Sequence, residues 1–169
     1  MHQIALNDEG TRLVVAFSSG EREVLVGWDR TDNSRVLTSA SRVTSLSFIG
    51  NYVVVADSGD DEVFLLQNPF STAARVSLIL IDHEAPDTMV MPLSERGEIY
   101  VASLGSGEIS VLDIQGHLLR KLECGCAFSG FFPLNHTIFR LTARLAQPIF
   151  IVDAEWPGGR IAFIPAIPQ

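Results

Sequence analysis

An all-β fold of repeated four-stranded units is what this sequence predicts, on three observations. One pattern of about 40 residues recurs four times along the 169 residues. No stretch of three turns carries apolar residues at helical spacing. The second strand of the first two copies reads LVVAF and YVVVA, apolar without interruption, which marks a strand covered on both faces. Short antiparallel sheets buried front and back by their neighbours are β-propeller blades. A sandwich or barrel is the structural alternative, but a sandwich strand alternates towards one solvated face, and solenoid repeats of this length usually carry helices.

The copies can be laid over one another. LVVAFSSGEREVLVGW (13–28) aligns with YVVVADSGDDEVFLLQ (52–67) at an offset of 39, which places Glu23-Val24 on Glu62-Val63. Glu62-Val63 then matches Glu108-Ile109 at an offset of 46, and Ile109 and Asp113 match Ile149 and Asp153 at an offset of 40. First strands are expected at 4–6, 45–48, 89–91 and 128–132, each followed by a polar turn, NDEGTR, IGN, SERGE or PLNH, rich in residues that tight turns require. Second strands fall at 13–17, 52–56, 99–103 and 138–141, and third strands at 24–28, 63–67, 109–113 and 149–153. Fourth strands fall at 35–37, 75–81, 118–122 and 160–164. The units span approximately 1–39, 40–82, 83–123 and 124–169, read as one domain.

Composition bounds the function classes. Hydrophobic residues make up 47% and charged residues 19%, so the chain buries a core and is not disordered. The net charge of −8, from 20 acidic and 12 basic residues without a Lys/Arg cluster, opposes nucleic acid and acidic membranes as partners. No charged start with an apolar core opens the chain and no apolar run approaches a membrane span, so a soluble chain without an export signal is expected, its compartment undetermined.

The third copy, IYVASLGSGEISVLDIQGHLLRKL (99–122), resembles the YVTN-type repeat of bacterial and archaeal surface-layer-like propellers. There a YV strand, a Gly/Ser hairpin, a VSVID strand and a Gly-containing turn follow in order. YVVVADSGDDEVFLL is also similar to the NHL-type repeat, with Asp57 and Gly59 in matching positions, although that repeat normally carries Asn-Arg where Asp61-Glu62 stand. The resemblance runs through all four copies and implies that the first strand of each is innermost. It also implies that the loops before that strand gather with the second-to-third hairpins on one face: 39–42, 81–87 and 122–128 with 58–61 and 105–107. Such families generally close with six or seven blades, whereas four units fit here. The expectation is therefore a partial propeller or arc, with two blade faces open to self-association or to another protein.

Candidate chemistry sits on those loops. In IDHEAPDT, Asp82, His83, Glu84 and Asp87 offer oxygen and imidazole ligands or an acid/base pair. HEAPD is not the zinc-protease HExxH, because Asp87 holds the last position and Pro86 blocks the helix that motif needs; a polar connector is the competing reading. Asp57, Asp60, Asp61 and Glu62 offer oxygens for a divalent cation, but lack the alternating spacing of a calcium loop and also read as a solvated hairpin in which Gly59 supplies a turn conformation. Asp29, Asp32 and Asn33 read as a turn. Cys124 and Cys126 in CGC are too close for an ordinary disulfide and too few for structural zinc, and read as packing thiols. No GxSxG elbow, Walker loop, kinase set or dinucleotide fingerprint is present.

The expected function is a non-catalytic interaction scaffold with no catalytic residues and no required cofactor. His83, Glu84, Asp87, Asp57, Asp60 and Asp61 are its candidate ligand- or partner-binding residues. The alternative is a lactonase-like hydrolytic propeller using a divalent ion, with Glu84, His83 and Asp57 as ligands.

Overall fold

The computed structural model describes residues 3–31, 33–71, 75–79, 88–93, 96–103, 106–123, 130, 132–135, 138–141, 149–153 and 160–165. These form sixteen strands in four antiparallel sheets, each in simple sequence order. Blade 1 holds β1 (Gln3–Leu6), β2 (Leu13–Ser19), β3 (Arg22–Trp28) and β4 (Ser34–Ala40). Blade 2 holds β5 (Val43–Ile49), β6 (Tyr52–Asp57), β7 (Glu62–Gln67) and β8 (Arg75–Ile79). Blade 3 holds β9 (Thr88–Leu93), β10 (Glu98–Ser103), β11 (Glu108–Asp113) and β12 (Leu118–Glu123). Blade 4 holds β13 (Phe132–Pro133), β14 (Ile138–Arg140), β15 (Ile149–Asp153) and β16 (Arg160–Ile164). The expected strands are present within a few residues of their expected ends. The largest difference is β13, which begins at the end of the expected 128–132, most of which lies outside the described residues.

The first strands of successive blades lie side by side, β1 against β5 and β5 against β9, so they form the inner edge of a stack. Because side chains alternate across a strand, each blade has a forward face towards the next blade and a back face towards the previous one. One apolar cluster joins Val14, Ala16 and Leu25 of blade 1 to Val53, Val55 and Phe64 of blade 2. A second joins Val54, Ala56, Val63 and Leu65 of blade 2 to Ile99, Val101 and Leu112 of blade 3. Blades 3 and 4 meet through Tyr100 and Phe139, their ring centroids 5.8 Å apart. These are β-propeller blades, and the chain is an arc of four.

Burial follows position in the arc. In β6 and β10 the central residues Val53 to Ala56 and Ile99 to Ala102 are all 0% exposed, as continuous apolar strands require. In β2 the pattern alternates: Val14 and Ala16 are buried, while Leu13, Val15 and Phe17 are only half-buried. LVVAF therefore has one open face, contrary to the expectation that it is covered on both. Nothing among the described residues stands behind blade 1, where Ile4, Leu6 and Val36 are 64%, 59% and 67% exposed.

The structure also corrects the overlay of the first two copies. Val24 lies opposite Phe17 on the open face, whereas Val63 lies opposite Ala56 on the face packed against blade 3. Leu25, opposite Ala16, is the residue that matches Val63. Blade 1 extends its ladder to Ser19 and Arg22 and turns tightly through Gly20, at φ 69°, whereas the blade 2 ladder stops at Asp57 and Glu62. That difference slips the copy by one residue, and in a strand a one-residue slip exchanges the two faces.

Candidate binding face

The 39–42 linker and the 57–62 hairpin do meet at one end of the blades, and Asp57 joins them. Its side chain is 1% exposed. The amides of Ser41 and Arg42 donate to it at 2.6 and 2.7 Å, and the Gly59 amide donates at 3.0 Å. The Ser58 amide donates back to the Arg42 carbonyl at 2.9 Å. These bonds occupy most of the roughly four acceptor positions of a carboxylate. The linker from blade 1 is thus clasped onto the second hairpin, at a junction where each amide would otherwise be left unsatisfied.

Around this clasp the groups are polar and more exposed. The Ser41 hydroxyl donates to Asp60 at 2.8 Å, and the Arg22 guanidinium stands 3.7 Å from the same carboxylate. The Val43 amide donates to Glu23 at 2.6 Å, a second link between blades 1 and 2. Asp57, Asp60 and Glu62 present one oxygen each within 4.8 Å of one another. Burial, then the Asp57 and Asp60 carboxylates, push Glu62 above the usual carboxylate range. Asp61 takes the left-handed conformation of the hairpin at φ 52°.

Gly59 has a different role from the expected one. Its φ is ordinary, and a Cβ there would lie 2.5 Å from Ser41 Cβ, so glycine is required for the close approach of linker and hairpin. His83, Glu84 and Asp87, with Asp82, lie outside the described residues, as do Cys124 and Cys126. Of the six candidate binding residues the structure brings together Asp57, Asp60 and Asp61, on one hairpin.

Other acidic residues close turns at the opposite end of the blades. Asp29 accepts from the Thr31 amide and hydroxyl at 2.9 and 2.6 Å, the turn expected for WDRTDNS. Asp113 accepts from the Gln115 and His117 amides, both at 2.8 Å, and meets the His117 ring at 2.9 Å. A shallow polar cleft of about 270 Å³ on this end, lined in part by Asn7, Glu9, Arg12 and Asn51, lies between the first-to-second strand turns of blades 1 and 2.

A buried polar group that sequence reasoning did not single out lies on the forward face of blade 3. Arg120 donates two bonds to Glu98, at 2.9 and 3.0 Å, and one to the Tyr100 hydroxyl at 2.7 Å. Tyr100 donates to Glu98 at 2.9 Å. The Arg120 hydrogen bonds hold Glu98 below the usual carboxylate range, and burial pushes the Tyr100 phenol up. With Tyr100 packed on Phe139, this is an internal tie at the blade 3–blade 4 junction, not an accessible acid/base pair. The clue in the sequence is the alternation of Glu98 and Tyr100 on β10, which puts both on one face; only the fold shows that Arg120 joins them.

The sequence matches no family model and no curated protein. Solved structures do match. Virginiamycin B lyase from Staphylococcus aureus superposes with a TM-score of 0.74 at 12% identity, over 99% of this chain and 56% of that one. The periplasmic gluconolactonase of Pseudomonas aeruginosa gives 0.64 at 14% identity, over 99% of this chain and 57% of its own. A putative 6-phosphogluconolactonase from Bacteroides uniformis gives 0.65 at 14% identity, over 98% and 56%. The chain thus spans about half the length of these structures. At such low identity the likeness concerns architecture alone, and it agrees with the sheet order: this chain is a β-propeller arc of four blades.

Proposed function

We propose that this chain is a non-catalytic β-propeller scaffold of the YVTN/NHL type, which binds a protein through the open face of its first blade. The observation that carries the reading is an apolar row across all four strands of blade 1. Ile4 lies opposite Val15, Val15 opposite Val26, and Val26 opposite Val36, with Leu6, Leu13, Phe17, Val24 and Trp28 flanking them. An apolar face of this extent on a soluble sheet marks an interaction surface. The acidic hairpin is instead engaged in holding the linker. At high dilution the chain is expected to bind the dye 8-anilinonaphthalene-1-sulfonate, and the pair Leu6→Glu and Val15→Glu to reduce that binding several-fold. An undiminished signal in this variant contradicts the reading.

The second reading is a metal-dependent, lactonase-like hydrolase with Glu84, His83 and Asp57 as ligands. It is favoured by the approach of Asp57, Asp60 and Glu62 and by the lactonases among proteins of similar architecture. A cation that binds only the folded chain must raise its melting temperature. Millimolar calcium, magnesium or zinc is expected to leave it unchanged; a rise of several degrees that is lost in Asp57→Asn favours the hydrolase.

A further inference from the structure

Beyond the scaffold reading and independent of it, we infer that the polar cleft between the first-to-second strand turns of blades 1 and 2 binds an uncharged carbohydrate. The cleft lies at the end of the blades opposite the acidic hairpin, and turns of two adjacent, described blades enclose it.

Its walls are fixed before a ligand arrives. The turn from Asn7 to Arg12 is fastened by its own bonds: Asn7 Oδ1 accepts from the Thr11 and Arg12 amides, both at 2.8 Å, and the Gly10 amide donates to the Asn7 carbonyl at 2.9 Å. From this turn Arg12 crosses to blade 2. Its guanidinium stands 5.4 Å from the centre of the Phe70 ring and donates to the Asn51 side chain at 3.3 Å. Phe70 is stacked in turn on Phe48, which lines the cleft, with ring centroids 6.5 Å apart. The Asn51 carbonyl accepts from the Asn68 amide at 3.0 Å. A long side chain held in this way has already lost rotamer freedom, so less of the ordering cost falls on binding.

The groups left over define the ligand. Among the described residues Arg12 makes that one hydrogen bond and no ion pair, which leaves most of its five N–H donors for a guest. Asp8 and Glu9 bring carboxylate acceptors to the same cleft. An adjoining cleft of about 300 Å³ shares Glu9 and Arg12 and adds Asp29 and Arg30. Three carboxylates against two guanidinium groups leave one negative charge in excess, which opposes an anion, while Arg12 at the centre opposes a cation. A sugar hydroxyl both donates and accepts, so a polyol satisfies both kinds of group at once, and the half-buried Phe48 ring offers an apolar surface to its C–H groups. At about 270 and 300 Å³ the two clefts are at the small end of ligand pockets. Each suits one sugar ring, and a disaccharide spans both across Arg12.

The test is an amide NMR titration with glucose, galactose, mannose, N-acetylglucosamine, maltose, cellobiose and lactose, and with glucuronic acid as the charged comparison. At least one neutral disaccharide is expected to shift the Gly10, Arg12, Gly50 and Asn51 amides with millimolar affinity, and to bind more tightly than its monosaccharide. Arg12→Gln is expected to weaken that binding by about tenfold, through loss of the charged donors. Asn51→Ala, at an exposed position, is expected to weaken it less and keeps the test decisive if Arg12→Gln does not fold. Silence across the neutral panel, shifts centred on other residues, or binding unchanged in the folded variants overturns the inference. Shifts with glucuronic acid alone overturn it in favour of a carboxylate site on Arg12. None of these outcomes bears on the dye-binding test of the open blade 1 face.

Discussion

Blade 1 and blade 3 are built on the same strand pattern, yet β2 is half open while β10 is sealed. Leu13, Val15 and Phe17 keep part of their surface in solvent, whereas every residue of β10 is buried. Composition cannot explain this, since LVVAF is as apolar as IYVAS. The difference lies in what stands behind each sheet: blade 2 behind blade 3, and nothing among the described residues behind blade 1. In a stack of sheets, burial is a property of the junction, and an end blade holds apolar surface in reserve.

Substitutions sharpen that contrast, taken from the largest expected effect on stability to the smallest. Ile99→Ala, at 0% exposure between blades 2 and 3, should cost about 3 kcal/mol through lost transfer energy and the cavity left behind, whereas Val15→Ala in the dilute chain should cost less than about 1 kcal/mol. Equal costs would mean that blade 1 is covered. Asp57→Ala should cost about 2 kcal/mol, because the Ser41, Arg42 and Gly59 amides lose a charged acceptor. Asp57→Asn should recover part of that loss.

At the blade 3–blade 4 junction, Tyr100→Phe should cost about 1 kcal/mol, since the hydroxyl bonds both Glu98 and Arg120. Glu98 also gives this junction a pH signature. Its carboxyl is held low by the Arg120 bonds in the folded chain, so its stabilisation is complete above the ordinary carboxylate range and is lost as pH falls through the depressed value. Glu98→Gln should lower stability at neutral pH and flatten the acid limb of the stability curve. The smallest effect has the opposite sign: Glu62 is pushed up, so its ionisation opposes folding at neutral pH. Glu62→Gln should raise the melting temperature slightly at pH 7, and that advantage should vanish in acid.

The blades were legible because their repeat is written twice, in apolar strands and in Gly- and Asn-containing turns. Asp113 and Asp29 were readable as turn residues, since an Asp just before a loop accepts amides two to four residues on. The register of blade 1 was not readable. Glu-Val in both hairpins favoured the overlay of Glu23 on Glu62, and only the different hairpin lengths show that these residues face opposite ways. Gly59 reads locally as a turn glycine, whereas the need for glycine comes from crowding by Ser41, 18 positions away and invisible to local pattern. The same holds for the Glu98–Arg120 pair, whose partners stand on different strands.

The most direct test of the open blade is thiol labelling of single cysteines in a Cys124→Ser, Cys126→Ser background. At high dilution Val15→Cys is expected to react with maleimide many times faster than Val54→Cys, which lies at 0% exposure between blades. Equal labelling rates at the two positions would contradict an arc whose first blade is uncovered.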